Sequence, residues 1–113
     1  VLIVPKRHIA GFFEATPAEL AALNELAFAV KEILDARYRP DGYNIGINAG
    51  AAAGQTIFHL HLHIIPRYRG DVPDPRGGIR RIKKHGAGEG GIFAELFTMN
   101  AACLKEKALL IVK

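Results

Sequence analysis

A single cysteine, Cys103, is all that this chain of 113 residues offers for covalent cross-linking, so an internal disulfide is excluded. Half of the residues are apolar, yet no apolar run approaches the roughly 18 residues of a membrane span, and no transmembrane helix is expected. No charged, then apolar, then small-residue leader opens the sequence, which together with the missing disulfide predicts a reducing cytoplasm as its location. Aromatic residues are few, and only Tyr68 interrupts the one strongly basic stretch. Base stacking on such a stretch would be thin, which ranks a nucleotide above nucleic acid as partner. Carboxylates are missing where a metal site would need them, because no Asp or Glu follows the histidine cluster closely. A chain of this length supports one domain with one core.

What is present is concentrated in residues 59 to 63, His-Leu-His-Leu-His, which hold three of the five histidines. Alternation with large aliphatics is a strand pattern. It sends His59, His61 and His63 to one face of a sheet and Leu60, Leu62 and Ile64 to the other. Alternate side chains on a strand stand roughly 6.5 to 7 Å apart, a spacing that suits a row of imidazoles along a polyphosphate. A lone strand histidine is most often a satisfied structural residue, but three in alternation are harder to explain that way. Zinc is the serious competitor, since two histidines at i and i+2 can share an ion. Such a site needs further ligands, and Cys103 lies far off in a helical-looking tail.

The flanks decide between these readings. Gly50-Ala51-Ala52-Ala53-Gly54-Gln55-Thr56 is a loop of small residues that would let a ligand approach main-chain N–H groups. With Asp41-Gly42-Tyr43-Asn44-Ile45-Gly46-Ile47-Asn48 before it and the alternating histidines up to Ile65 after it, the stretch resembles the histidine-triad (HIT) family. Val1-Leu2-Ile3-Val4-Pro5-Lys6-Arg7-His8-Ile9 resembles that family's strand leading into a Pro-Lys-Arg-His segment, so the likeness runs from Val1 to about Ile82. The Pro66-Arg67 ending is closest to the bacterial dinucleoside polyphosphate hydrolase-like branch.

The resemblance implies an α+β, HIT-like fold and a nucleotide hydrolase or transferase that cleaves a phosphoanhydride at an α-phosphate. It makes His61 the nucleophile of a covalent nucleotidyl-histidine intermediate, its tautomer set by a bond from Nδ1–H to a main-chain carbonyl. His59 and His63 would flank it as donors to the charged oxygens. Asn48, Gly54, Gln55 and Thr56 match substrate-binding positions, and His8 a histidine behind the active one, although Lys6-Arg7-His8 also reads as a solvated strand end. No metal or other cofactor is required. The partner is a nucleotide or dinucleoside polyphosphate, and a homodimer is expected by analogy. A nucleoside phosphoramidase of the same family and a non-catalytic nucleotide-binding module are the alternatives. Family members carry a strand and helix ahead of the position matched by Val1, with residues for base and ribose, so a HIT domain over 1–82 is expected to be N-terminally incomplete.

Local signals supply the remaining elements. Val1 to Pro5 reads as a strand. Thr16, Pro17 and Glu19 form a capping box with proline at the first helical position, and Leu20, Leu23, Ala27, Val30 and Leu34 draw one apolar stripe along a helix of about 17–36. That stripe is read as core, covering the apolar face of an antiparallel sheet. Arg39-Pro40-Asp41-Gly42 ends the helix. Strands of about 43–49 and 57–65 are predicted as a hairpin around the glycine loop. From Arg67 to His85 seven basic residues face two acidic ones, a surplus of five with His85 neutral. This stretch is either a solvated basic loop or a means of steering anions to the site. Residues 83–113 read as a tail: a linker including Gly86-Ala87-Gly88-Glu89-Gly90-Gly91, a helix over 92–107 and a short strand from Ala108 to Val112.

Overall fold

The computed structural model describes residues 1–81 and 108–111. The linker and helix expected from 83 to 107 lie outside these residues. One long helix packs against an antiparallel sheet, as an α+β HIT-like fold requires. The strands are β1 (Leu2–Pro5), β2 (Gly42–Gly46), β3 (Leu62–Arg67) and β4 (Ala108–Ile111), in the spatial order β2-β3-β1-β4. The short strand expected in the tail therefore belongs to the sheet, with Leu2 opposite Ile111 and Pro5 opposite Ala108.

Helix α1 (Pro17–Tyr38) begins on the predicted capping box. The Glu19 N–H donates to Thr16 Oγ1 at 3.2 Å, and the Thr16 N–H donates to Glu19 Oε2 at 3.0 Å. The Glu19 carboxylate also accepts from Arg7 Nε at 2.6 Å and Nη2 at 3.1 Å, so a residue chosen for capping also ties the segment after β1 to the helix. The helix ends at Arg39, which takes the left-handed conformation at φ 46° without being glycine, and Pro40 prevents any continuation. The buried stripe is Leu23, Leu26, Val30 and Leu34, with Leu20 and Ala27 only half-buried. The predicted stripe thus shifts toward Leu26, as α1 packs chiefly over β1, β4 and β3. These side chains meet Ile3, Leu60, Leu62 and Ile64, all buried.

The two strands predicted around the glycine loop do pair antiparallel, but over shorter spans than expected. β2 ends at Gly46 and β3 starts only at Leu62, with Gly46 opposite His63 and Gly42 opposite Arg67. Residues 57–61 do not pair with β2; the Leu60 N–H donates instead to Ile9 O at 2.8 Å. Gln55 is the physical reason. Gln55 is 5 % exposed and spends both amide donors and one acceptor direction on main chain: Oε1 accepts from the Gly50 N–H at 2.8 Å, and Nε2 donates to Ala10 O at 2.6 Å and Ile57 O at 3.0 Å. One side chain thus closes the 50–55 loop on itself and pulls the following strand entry toward residues 9 and 10. The loop turns through a 3-10 turn at Ala51–Ala53, with left-handed Gly54 at φ 91° where a side chain would be strained.

Two outcomes follow for stability. Hydrogen bonds first from Arg7 and then from the Thr16 main chain hold the Glu19 carboxyl at about 2. A depressed carboxyl stabilises the fold above the ordinary glutamate range and loses that contribution as pH falls toward 2. Urea midpoints measured from pH 5 down to 2 should therefore decline less steeply in Glu19→Gln than in the parent, and an equal slope would contradict the assignment. Gln55→Ala would remove the partner of three part-buried main-chain groups, at roughly 1–3 kcal/mol of lost stability. Thermal unfolding reads this directly; an unchanged midpoint with weakened ligand binding would mean that Gln55 serves the ligand and not the loop.

Candidate active site

The alternation in 59–63 separates the two faces as the pattern requires. Leu60, Leu62 and Ile64 are buried at 1 %, 7 % and 1 % exposure, whereas His59, His61 and His63 are half-buried. The three histidines do not form an even row on one strand, however, because only His63 lies within β3. The rings gather as two pairs. His61 and His63 meet edge to face with centroids 4.8 Å apart, and His59 lies 5.0 Å from His8, tilted by 36°. The first spacing is well below that of alternate residues on an extended strand, and the chain before Leu62 is not strand.

Main-chain carbonyls orient the rings. His61 Nδ1 lies 2.8 Å from His59 O, His59 Nε2 lies 2.9 Å from Pro5 O, and His8 Nε2 lies 3.1 Å from Phe58 O. A carbonyl only accepts, so each of these nitrogens carries a proton and donates it. Neutral His61 is thereby placed in the tautomer with its lone pair on Nε2. His59 is different: its Nε2 proton is engaged by Pro5 O, and it would have to become an imidazolium to donate a further bond from Nδ1. The Nε2 atom of His63 is buried.

The remaining predicted site residues divide. Gly54 and Asn48 are adjacent, since a Cβ on Gly54 would lie 3.9 Å from Asn48 Nδ2. Thr56 is exposed on the loop beyond Gln55. Gln55, expected at the substrate, bonds through its amide to the main chain of Gly50, Ala10 and Ile57. The expected cradle of free loop amides is also reduced, because the N–H groups of Gly50, Ala53, Gly54 and Gln55 all donate within the loop. Among the described residues, no group of three or more His, Cys, Asp or Glu is arranged to hold a metal ion.

The resemblance implied a main-chain carbonyl at His61 Nδ1, but residue identity named none of the acceptors at Pro5, Phe58 and His59, because main-chain groups leave no trace in it. Sequence reasoning also took Arg67 only as a motif ending and as positive charge. Arg67 grips Asp71 through Nε at 2.6 Å and Nη2 at 2.8 Å and reaches Asn44 Oδ1 through Nη1 at 2.6 Å. That fork holds the Asp71 carboxyl down at about 2. Asp74 pairs with Arg76 in the same way, at 2.9 Å. A cavity of about 410 Å³ opens beside Arg67 and Tyr43, four residues along β3 from His63. The guanidinium there is already occupied by Asp71 and Asn44.

The HIT domain family model matches residues 1–70. The asymmetrical bis(5'-nucleosyl)-tetraphosphatase of Schizosaccharomyces pombe is 38 % identical over 74 residues, covering 66 % of this chain and 41 % of that protein. A hypothetical histidine triad nucleotide-binding protein of Sulfolobus tokodaii superposes with a TM-score of 0.59 at 36 % identity, over 75 % of this chain and 53 % of that one. A zinc-bound histidine triad family protein of Mycobacterium smegmatis superposes at 0.57 with 35 % identity, over 65 % and 58 %. The chain spans about half the length of the curated relatives it matches. With the family model covering more than half of its residues and the alternating histidines displayed opposite a buried aliphatic face, the chain belongs to the HIT family.

Proposed function

We propose that this chain transfers or hydrolyses nucleotidyl groups, cleaving a phosphoanhydride at the α-phosphorus with His61 as covalent nucleophile. The observation that carries the reading is the 2.8 Å contact from His61 Nδ1 to His59 O. It supports a neutral ring whose Nε2 lone pair attacks phosphorus while the bond from phosphorus to the departing phosphate oxygen breaks. The electron pair leaves with that oxygen, and a water then attacks the same phosphorus and releases His61 unchanged. His63, edge to face with His61, is the neighbour suited to donate to an oxygen on which charge grows. His59 contributes mainly through its carbonyl, which sets the tautomer of His61. Dinucleoside polyphosphates are the proposed substrates. The tetraphosphatase activity by which the S. pombe relative is named supports this class, as does the Pro66-Arg67 ending. The imidazoles supply nucleophile and donor, so no metal enters the scheme, and the same reading places the chain in the cytoplasm as a homodimer.

Diadenosine tetraphosphate and a nucleoside phosphoramidate serve as paired substrates for the test. His61→Ala should lower turnover of the preferred one by about a thousandfold or more, the scale on which loss of a covalent nucleophile acts. Brief acid quenching of the parent should trap a nucleotidyl group on His61 by mass spectrometry, and a chelator should leave the rate unchanged. Turnover that survives His61→Ala, or an adduct on another side chain, would overturn the proposal. Nucleoside monophosphate binding without any turnover would favour the non-catalytic module.

A further inference from the structure

After β3 the chain folds back across the histidine face of the sheet. Arg67 holds Asp71, the Arg69 N–H donates to Asp41 Oδ2 at 2.8 Å, and the Gly78 N–H donates to Pro75 O at 3.1 Å. A 3-10 turn at Gly78–Arg81 then lies over β2. Two glycines make that approach possible. A Cβ on Gly78 would lie 2.8 Å from Asn44 Nδ2, and a Cβ on Gly46 would lie 2.0 Å from Ile79 Cδ1. Ile79 therefore occupies the space that a side chain at position 46 would fill.

Position 46 is opposite His63 in the β2–β3 ladder. Side chains of directly opposed residues stand on the same face with Cβ atoms about 4.5–5.5 Å apart. The end of Ile79 thus stands where the cross-strand neighbour of the His63 imidazole belongs, delivered from 16 residues further along the chain. His63 in turn meets His61 edge to face at 4.8 Å. Imidazole χ2 is broad and roughly two-fold, so without a neighbour the ring can turn over and bring a carbon to the reacting position, Cε1 in place of Nε2 and Cδ2 in place of Nδ1. An apolar wall on one side restricts that rotation and keeps water from the ring, which strengthens any hydrogen bond it donates.

We infer that Ile79, seated in the notch left by Gly46, is a positioning residue for His63. The inference rests on the proposed nucleotidyl chemistry for its catalytic meaning, but not for its structural content. A single methyl group tests it. Ile79→Val deletes Cδ1 alone, and Gly46→Ala returns a methyl from the strand to within 2.0 Å of the vacated place. Ile79→Val should lower kcat roughly three- to tenfold with little change in KM, the more severe Ile79→Ala roughly tenfold or more, as small misplacements of reacting groups do. The double variant Gly46→Ala/Ile79→Val should recover kcat to within about twofold of the parent, a coupling expected only for groups that share one space. The imidazole proton and nitrogen resonances of His63 should shift and broaden in Ile79→Val and return in the double variant, with those of His8 unmoved. Unchanged His63 resonances in Ile79→Val, or a double variant no better than the single one, would overturn the inference. Absence of turnover in the parent would sink the proposed function instead, and the resonances would still decide the role of Ile79.

Discussion

Burial of Leu60, Leu62 and Ile64 against Ile3 and the inner face of α1 is the constraint from which the site follows. Each of these side chains contributes roughly 1.5–3 kcal/mol on leaving water. Side chains alternate in an extended chain, so a slip of one residue would exchange the three aliphatics for three imidazoles and bury polar rings in the core. The hydrophobic core therefore sets the register of the histidines. Nothing in the histidines themselves would hold them on the open face so firmly.

Orientation within that face comes from the main chain. Pro5, Phe58 and His59 each present a carbonyl to a ring nitrogen, and a carbonyl accepts but never donates. The protonation of each ring is thereby matched to its place, with Nδ1 of His61 carrying the proton and Nε2 the lone pair. These carbonyls are correctly placed because residues 8–10 run beside residues 55–60, a contact sealed by Gln55 and by the bond from Leu60 N to Ile9 O. A buried amide held by three main-chain bonds fixes such an arrangement more rigidly than apolar contact would, since breaking them leaves its polar atoms desolvated.

Two arginine forks fasten the periphery. Arg7 joins the segment after β1 to the N-terminus of α1 through Glu19, and Arg67 joins the end of β3 to the returning strap through Asp71 and to β2 through Asn44. Both forks draw on residues close to the histidine strand's neighbours. They use guanidinium geometry for direction and not merely for charge. Part of the basic character of residues 67–81 is thus internal to the fold, and less of it is left to steer anions than a charge count suggests.

The pattern of residues 59–65 is enough to separate core from histidine face, because alternation is a local property of an extended chain. The capping box at Thr16 and Glu19, the break at Arg39-Pro40 and a helix near 17–36 were equally legible, since each depends on neighbours within four residues. The position of Leu26 in the buried stripe was not, as it depends on how α1 crosses the sheet. Nor did residue identity show that Gln55 would be turned inward: glutamine in a loop suits a ligand as well as a main-chain clamp, and only the arrival of Ala10 from 45 residues away decides. The same holds for the ring pairs His8 with His59 and His61 with His63, and for Ile79 in the notch at Gly46. Sequence spacing determines which face a side chain leaves. The distances between rings, and the atoms that meet them, are set by segments remote in the chain that only the folded structure brings together.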